Sequence, residues 1–312
     1  MIYSETQLEK RLSGGLVMMQ WSERYDLHGH STHSDGELSV AQLAQKIASE
    51  GVEVWALTDH DVISGWKEAS EEAKQRGIRF IPGVEITCIP GLPAQTTILE
   101  KEGRDRSTTS WHLLAYFPNH DPGMNSQPIS AFRKWLEPFA EGRIGRMKRM
   151  VEKVNELGMD IDFEAIMARS SGAVGRPHLA KEMIQKGYAN SMQQVFDEWL
   201  GDGCPASVEK IKPTIVEAVN VVHAAGGICS LAHPIYYGIE SNNLLSFLKK
   251  VGVDAVEAFH RSHPDKYRME LLNCAQEIGL KVTCGSDYHG PSYQARPGHM
   301  AVPSSSLPEQ II

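Results

Sequence analysis

Seven short apolar runs, most of them bounded by a histidine, aspartate or glutamate, constrain this 312-residue chain more than any other feature. They are YDLH (25–28), VWALTD (54–59), FIPGVEI (80–86), HLLAYF (112–117), GICSLAH (227–233), AVEAF (255–259) and VTCGSD (282–287). Between several of them lie amphipathic helical stretches such as VAQLAQKIASEG (40–51), closed by a glycine, and LLSFLKKVG (244–252). Strands alternating with helices predict an α/β fold built of βα units around a largely parallel sheet.

Two stretches break the alternation. Residues 90–110 are rich in Pro, Gly, Ser and Thr and predict a loop or flap. Residues 128–210 hold helical patterns and no clear strand, which predicts an all-helical insertion acting as a cap. The expected division is therefore a tail (1–24), an α/β unit (25–127 and 211–312) and the insertion (128–210). The first two dozen residues lack the basic start and apolar block of a signal peptide, and Met18 and Met19 leave room for a later start.

Composition narrows the function classes. No apolar run reaches membrane-spanning length, so no membrane partner is expected. The five cysteines form no CxxC pair and predict reduced thiols in a cytoplasmic protein. The net charge of −8 disfavours a long nucleic-acid groove, since non-specific affinity comes mainly from phosphate neutralisation. Three divalent ions would bring that charge to about −2. Thirteen histidines are the more telling excess, because histidine is the commonest transition-metal ligand.

The chemistry gathers at strand ends. His28 and His30 lie two apart in extended chain and share a face, and Asp35 follows in SDG. TDHD places His60 at the end of the second run, FIPGVEI presents Glu85, HLLAYF opens with His112, and SLAHP ends on His233. GSDYH gives Asp287 and His289, again two apart. Each element alone is as readily a polar turn or a satisfied core histidine. Together they are nine N/O ligands at strand ends, more than one ion needs and suited to two or three divalent ions. His33 is expected to lie outside the shell, and Asp26 to support it from behind.

In that order, DLHGHSTHSDG, LTDHD, GVEIT, HLLAYF, LAHP and GSDYH resemble the polymerase and histidinol phosphatase (PHP) family, over about residues 25–300. The resemblance implies a distorted (β/α)7 barrel holding three divalent ions, with manganese favoured and zinc or iron as alternatives. It implies that His28, His30, Glu85 and Asp287 hold the first ion. Glu85 would bridge to a second, completed by His112 and His233, and Asp35, His60 and His289 would hold the third. The activity implied is hydrolysis of a phosphate ester by hydroxide held between ions, with no covalent nucleophile. Glu85 and Asp287 are then catalytic candidates, and His263 in FHRSHPD is a further one, as leaving-group acid.

The insertion should supply substrate contacts. GRIGRMKRM puts Arg143, Arg146 and Arg149 three apart on a helix, of which Arg149, like Lys148, is expected to face solvent. VGRPHLAKEM reads as a helix start with Pro177 in its first turn, setting Arg176 and His178 beside free N–H groups. These two motifs are similar to those of one PHP subgroup, nucleoside 3′,5′-bisphosphate phosphatases and 5′–3′ exoribonucleases. In that subgroup Arg143, Arg146, Arg176 and His178 would face phosphates. The expected substrate is a small nucleotide or short oligonucleotide. A histidinol-phosphate phosphatase using the same metals is the alternative, and a non-catalytic PHP module is a third reading.

Overall fold

The computed structural model describes residues 9–12, 15–18, 21–22, 24–91, 100–101, 104–105, 110–124, 126–169, 174–201, 203–293, 295–298 and 302–303. Seven strands form one sheet: β1 (Tyr25–Asp26), β2 (Val54–Leu57), β3 (Arg79–Cys88), β4 (Trp111–Tyr116), β5 (Ile228–Leu231), β6 (Ala255–His260) and β7 (Lys281–Gly285). They neighbour one another in chain order. β7 returns to the first strand's extension, where Leu27 N–H donates to the Cys284 carbonyl (3.1 Å), Asp287 N–H to that of His28 (2.8 Å), and His30 N–H to that of Tyr288 (2.9 Å). The result is a nearly closed seven-stranded barrel, its strands at the seven runs and its closure as the family resemblance implies.

The barrel has one reversed strand. β4 pairs antiparallel with both β3 and β5, while the other neighbours run parallel. The N-terminal end of β4 therefore opens on the same mouth as the C-terminal ends of the rest. His112 stands at the start of β4 and reaches that mouth, where a strand in the common direction would have carried it to the far end.

The helices follow from local signals. Helix α1 (Val40–Ser49) starts on a reciprocal cap between Ser39 and Gln42, and buries Val40, Leu43, Ala44 and Ile47 at helical spacing. Helix α2 is Trp66–Gln75. The expected 244–252 helix begins earlier: α8 spans Ser241–Lys250, with the Glu240 carboxylate accepting the N–H groups of Asn242 and Asn243. Its first turn, Ser-Asn-Asn, is polar and carries no hydrophobic period, so the pattern registered only from Leu244.

Between β4 and β5 lie α3 (Gln127–Glu156), α4 (Phe163–Arg169), α5 (Arg176–Gln185), α6 (Met192–Val195, running on as a wider turn over Phe196–Leu200) and α7 (Ile215–Ala224). α3 belongs to two cores. Ile129, Phe132, Leu136 and Phe139 pack into the barrel's core. Met147, Met150, Val151 and Val154, about two to four turns on, pack with Leu179, Met183 and Leu200 of the helical unit. The remaining helix, α9, spans Asp265–Ile278.

Little of the 90–110 segment falls among the described residues; within it, Glu100–Lys101 pairs antiparallel with Arg104–Asp105. Near the N-terminus Glu9–Leu12 pairs with Gly15–Met18, and Trp21–Ser22 pairs with Val302–Pro303. No helix among the described residues is long and apolar enough to cross a membrane.

Candidate metal centre

All nine expected ligands meet at the barrel mouth, around Glu85. Its Oε2 lies 3.4 Å from His28 Nε2, 3.3 Å from His30 Nε2 and 2.9 Å from His60 Nδ1. Its Oε1 lies 2.8 Å from His112 Nδ1 and 3.2 Å from His233 Nε2. Asp287 Oδ1 approaches His28 and His30 Nε2 at 3.4 and 3.2 Å. Asp35 stands on the other flank, 3.8 Å from His60 Nε2 and 3.4 Å from His289 Nε2. At the mouth, three sets of donor atoms are each close enough to share an ion: His28–His30–Glu85, His60–Glu85–His112 and His30–Asp35–His60–His289.

The donor set fits divalent ions by a direct test. Buried nitrogen of His28, His30, His60, His112 and His233, with an oxygen of Asp35 and of Glu85, has no hydrogen-bond partner of acceptable geometry. Buried polar atoms left without partners are costly, and here they converge on a shared space, which is what a coordination shell requires.

The surroundings aim these atoms. Glu257 in β6 takes His28 Nδ1 at 3.0 Å, which turns Nε2 toward the centre, and also accepts the His233 N–H (2.8 Å). Asp26 receives N–H groups of His28, Ser286 and Gly298 and the Ser286 hydroxyl, tying the end of β1 to the end of β7. Asp59 receives Ser31 N–H and the hydroxyls of Ser31 and Ser34, which shapes the loop carrying His30 and Asp35. Gly285 leaves room for this packing, because a Cβ there would lie 2.2 Å from that of His28. Asp61, His233 and Asp287 all have positive φ (55°, 31° and 50°), a conformation that L side chains hold only when their surroundings enforce it.

The electrostatics are those of a shell balanced by protons. Burial alone would lower the histidines, yet Glu257, Glu85 and Asp287 lift His28 well above its usual range, and the nearby Asp287, Glu85 and Asp35 carboxylates bring His30 to about 10. His60 goes the other way: burial takes it down to about 4. Burial would raise the carboxyls, but the imidazoles around Asp35, Glu85 and Asp287 hold all three well below the carboxylate norm.

His33 points out of the centre, its Nδ1 on the Ser64 hydroxyl (2.8 Å). His260, which ends β6, was missed by the sequence reading. Its Nε2 is buried without a hydrogen-bond partner and lies 3.6 Å from Asp287 Oδ2. His263, expected at the substrate, is instead packed behind His260 and against Tyr267, 2% exposed, with Nδ1 on the Ala258 carbonyl. Burial lowers it to about 4, so at neutral pH the ring is uncharged and its one N–H is held on the Ala258 carbonyl.

An open cleft of about 160 Å³ adjoins the centre between the mouth and the helical unit; Asp35, His60 and His112 line it on one side. Arg143, Arg146, Arg176 and Lys210 line it on the other. Arg143 and Lys210 both pair with Asp61, the residue after His60. Arg146 Nε donates to the Val208 carbonyl (2.7 Å), and Arg176 to that of Leu200 (3.2 Å) while lying over the Phe196 ring. Lys148 and Arg149 are exposed. Of the four residues expected at phosphates, His178 lies elsewhere. Its Nδ1 accepts the Gly175 N–H (3.0 Å), capping α5, and it lines a separate cleft of about 260 Å³ on the far side of Asp35. Lys210 and Asp61 were missed too, their partnership spanning 149 positions of chain.

The PHP-domain family model matches residues 26–201. A 5′–3′ exoribonuclease of Haemophilus influenzae is 32% identical, over 86% of this chain and 91% of its own length. A 3′,5′-nucleoside bisphosphate phosphatase of Chromobacterium violaceum is 28% identical, over 87% of this chain and 89% of its own. Among solved structures, an amidohydrolase from Chromobacterium violaceum, crystallised with sulfate and no metal, superposes with a TM-score of 0.75 at 27% identity, covering 89% of this chain and 90% of that one.

Proposed function

The chain belongs to the PHP family of phosphoesterases, and from that premise we propose that it breaks the P–O3′ bond of a nucleotide bearing a 5′-phosphate. One observation carries the reading: the His/Asp/Glu cluster at the mouth and the cation-rich cleft share Asp35, His60 and His112 as a common wall. A phosphate ester at the cluster can thus have a second phosphate of the same nucleotide among Arg143, Arg146, Arg176 and Lys210. The bisphosphate phosphatase and the exoribonuclease among the relatives fit one such arrangement. The scissile phosphate ends in oxygen in the first case and in the next nucleotide in the second.

We assign three divalent ions, manganese foremost, to the ligand sets named above. When bound they supply a nucleophile from water near neutral pH and neutralise charge on the phosphate. The chain's residues do the rest. Glu257 and Ser34 fix the rings of His28 and His30, and Asp61 sets Arg143 and Lys210 at the cleft wall. Net, one water is divided between phosphorus and O3′. Among the described residues all five cysteines are free, which suits a reducing cytoplasm.

The test runs manganese-loaded protein in parallel on adenosine 3′,5′-bisphosphate, histidinol phosphate and a 5′-phosphorylated oligoribonucleotide, following release of phosphate or mononucleotide. Turnover of the first or third above the second supports the reading. Preference for histidinol phosphate, or inactivity on all three with metal bound, sinks it.

A further inference from the structure

Tyr236 is the only exposed phenylalanine, tyrosine or tryptophan among the described residues, at 58%, and it stands beside the metal centre. Its ring lies 5.2 Å from that of His233 and edge-on, at 6.2 Å, to that of His260. Neither histidine lines the arginine cleft, which opens over His60 and His112. The tyrosine therefore flanks the centre on the β5–β6 side, away from the cap's cations.

Its exposure is built in. Tyr236 sits in a single 3-10 turn, Pro234–Tyr237, bounded by left-handed His233 and Gly238. The next residue, Tyr237, points inward, stacks on Trp111 at 4.9 Å and accepts the His112 N–H through its hydroxyl (2.9 Å). Anchoring one ring inside turns its neighbour outward. Arg261, directly after β6, adds a partly exposed cation on this side, held on Asp287 (3.1 Å).

We propose that Tyr236 is the stacking platform for the nucleobase on the 3′ side of the scissile phosphate. The inference rests on the reading above, in which the 5′-nucleotide fills the arginine cleft and its 3′-phosphate meets the centre. Whatever follows that phosphate must leave on the opposite side, where an aromatic face stacks any base without sequence preference. A nucleoside bisphosphate has no such base. Tyr236 thus favours an RNA strand over a mononucleotide.

The test is a cycle of two changes: Tyr236→Ala in the protein and an abasic second nucleotide in a 5′-phosphorylated oligoribonucleotide with a phosphorothioate at the first linkage. Affinity for manganese-loaded protein is read by fluorescence anisotropy. Each single change is expected to weaken binding by about tenfold or more, with no further loss when both are combined. Tyr236→Phe keeps wild-type affinity. The ratio of kcat/KM on oligonucleotide to that on adenosine 3′,5′-bisphosphate falls by a similar factor in Tyr236→Ala. Independent, additive losses, or equal affinity of Tyr236→Ala and wild type, overturn the proposal. Tyrosine-dependent binding without hydrolysis leaves the platform standing and removes the phosphoesterase reading instead.

Discussion

At the barrel mouth five imidazoles crowd one buried carboxylate, Glu85, and each has a buried ring nitrogen without a hydrogen-bond partner. In the adjoining cleft the cations already rest on the protein's own oxygens: Asp61, the Val208 carbonyl and the Leu200 carbonyl. The first region is chemically incomplete without added cations. The second is complete, so a phosphate entering it must exchange for internal acceptors. Ions should therefore bind tightly to a formed shell, and substrate more weakly to a cleft that first gives up bonds.

The largest effect should come from Glu85→Gln, which keeps the shape but removes the charge common to two ligand sets. Turnover is expected to fall by about 10²–10³-fold or more, with at least one ion lost by elemental analysis. Full metal content with full activity would erase the distinction between the two regions.

Asp61→Ala comes next, and it acts on the cleft. It leaves Arg143 and Lys210 buried and unpaired, a change of about 3 kcal/mol or more in unfolding free energy by denaturant titration. Metal content should persist, because Asp61 contributes no ligand.

Smaller and pH-dependent is the signature of Lys210. Burial and the Arg143 charge outweigh Asp61 and bring it down to about 7 in the folded chain, against roughly 10.4 for a free lysine. Between those values the unfolded chain holds a proton that the folded chain lacks, so this group makes stability rise with pH from about 7 toward 10. Lys210→Met should flatten that rise in urea midpoints measured across the range; an unchanged slope would place the titration elsewhere.

The smallest effect belongs to His33→Ala. Its ring is partly exposed and bonded to Ser64, so activity and ion count should hold, with stability within about 0.5 kcal/mol of wild type.

The comparison also explains what the sequence carried. Most ligands at a barrel mouth sit at strand ends, legible as the limits of apolar runs, as His28, His60 and His233 are; Glu85 lies inside β3 and is legible as the one carboxylate of its run. His112 was found because it opens its run, and the reversal of β4 gives that placement its reason. His260 obeys the same rule but lies one residue beyond the apolar run, which ends at Phe259. Glu257 left a signal as well, a lone carboxylate inside AVEAF, a run buried throughout. The cleft was harder. Arg143 and Arg146 show helical spacing, but Lys210 joins Asp61 only through tertiary folding, and no local pattern announces it. His178 was misplaced because a histidine in the first turn can cap its own helix as easily as face a ligand. His263 was misplaced because nothing local says which histidine of HRSH turns inward.

The central claim, a shell that trades protons for cations, is open to one direct measurement. Metal-free protein is titrated with Mn²⁺ at neutral pH in two buffers of different ionisation enthalpy, with ions per chain counted by elemental analysis. Because His28 and His30 are held protonated in the ion-free shell, the account predicts three ions per chain and net proton release, with His30→Ala losing an ion and part of that release. Binding without proton release, or a count that His30→Ala leaves unchanged, would contradict it.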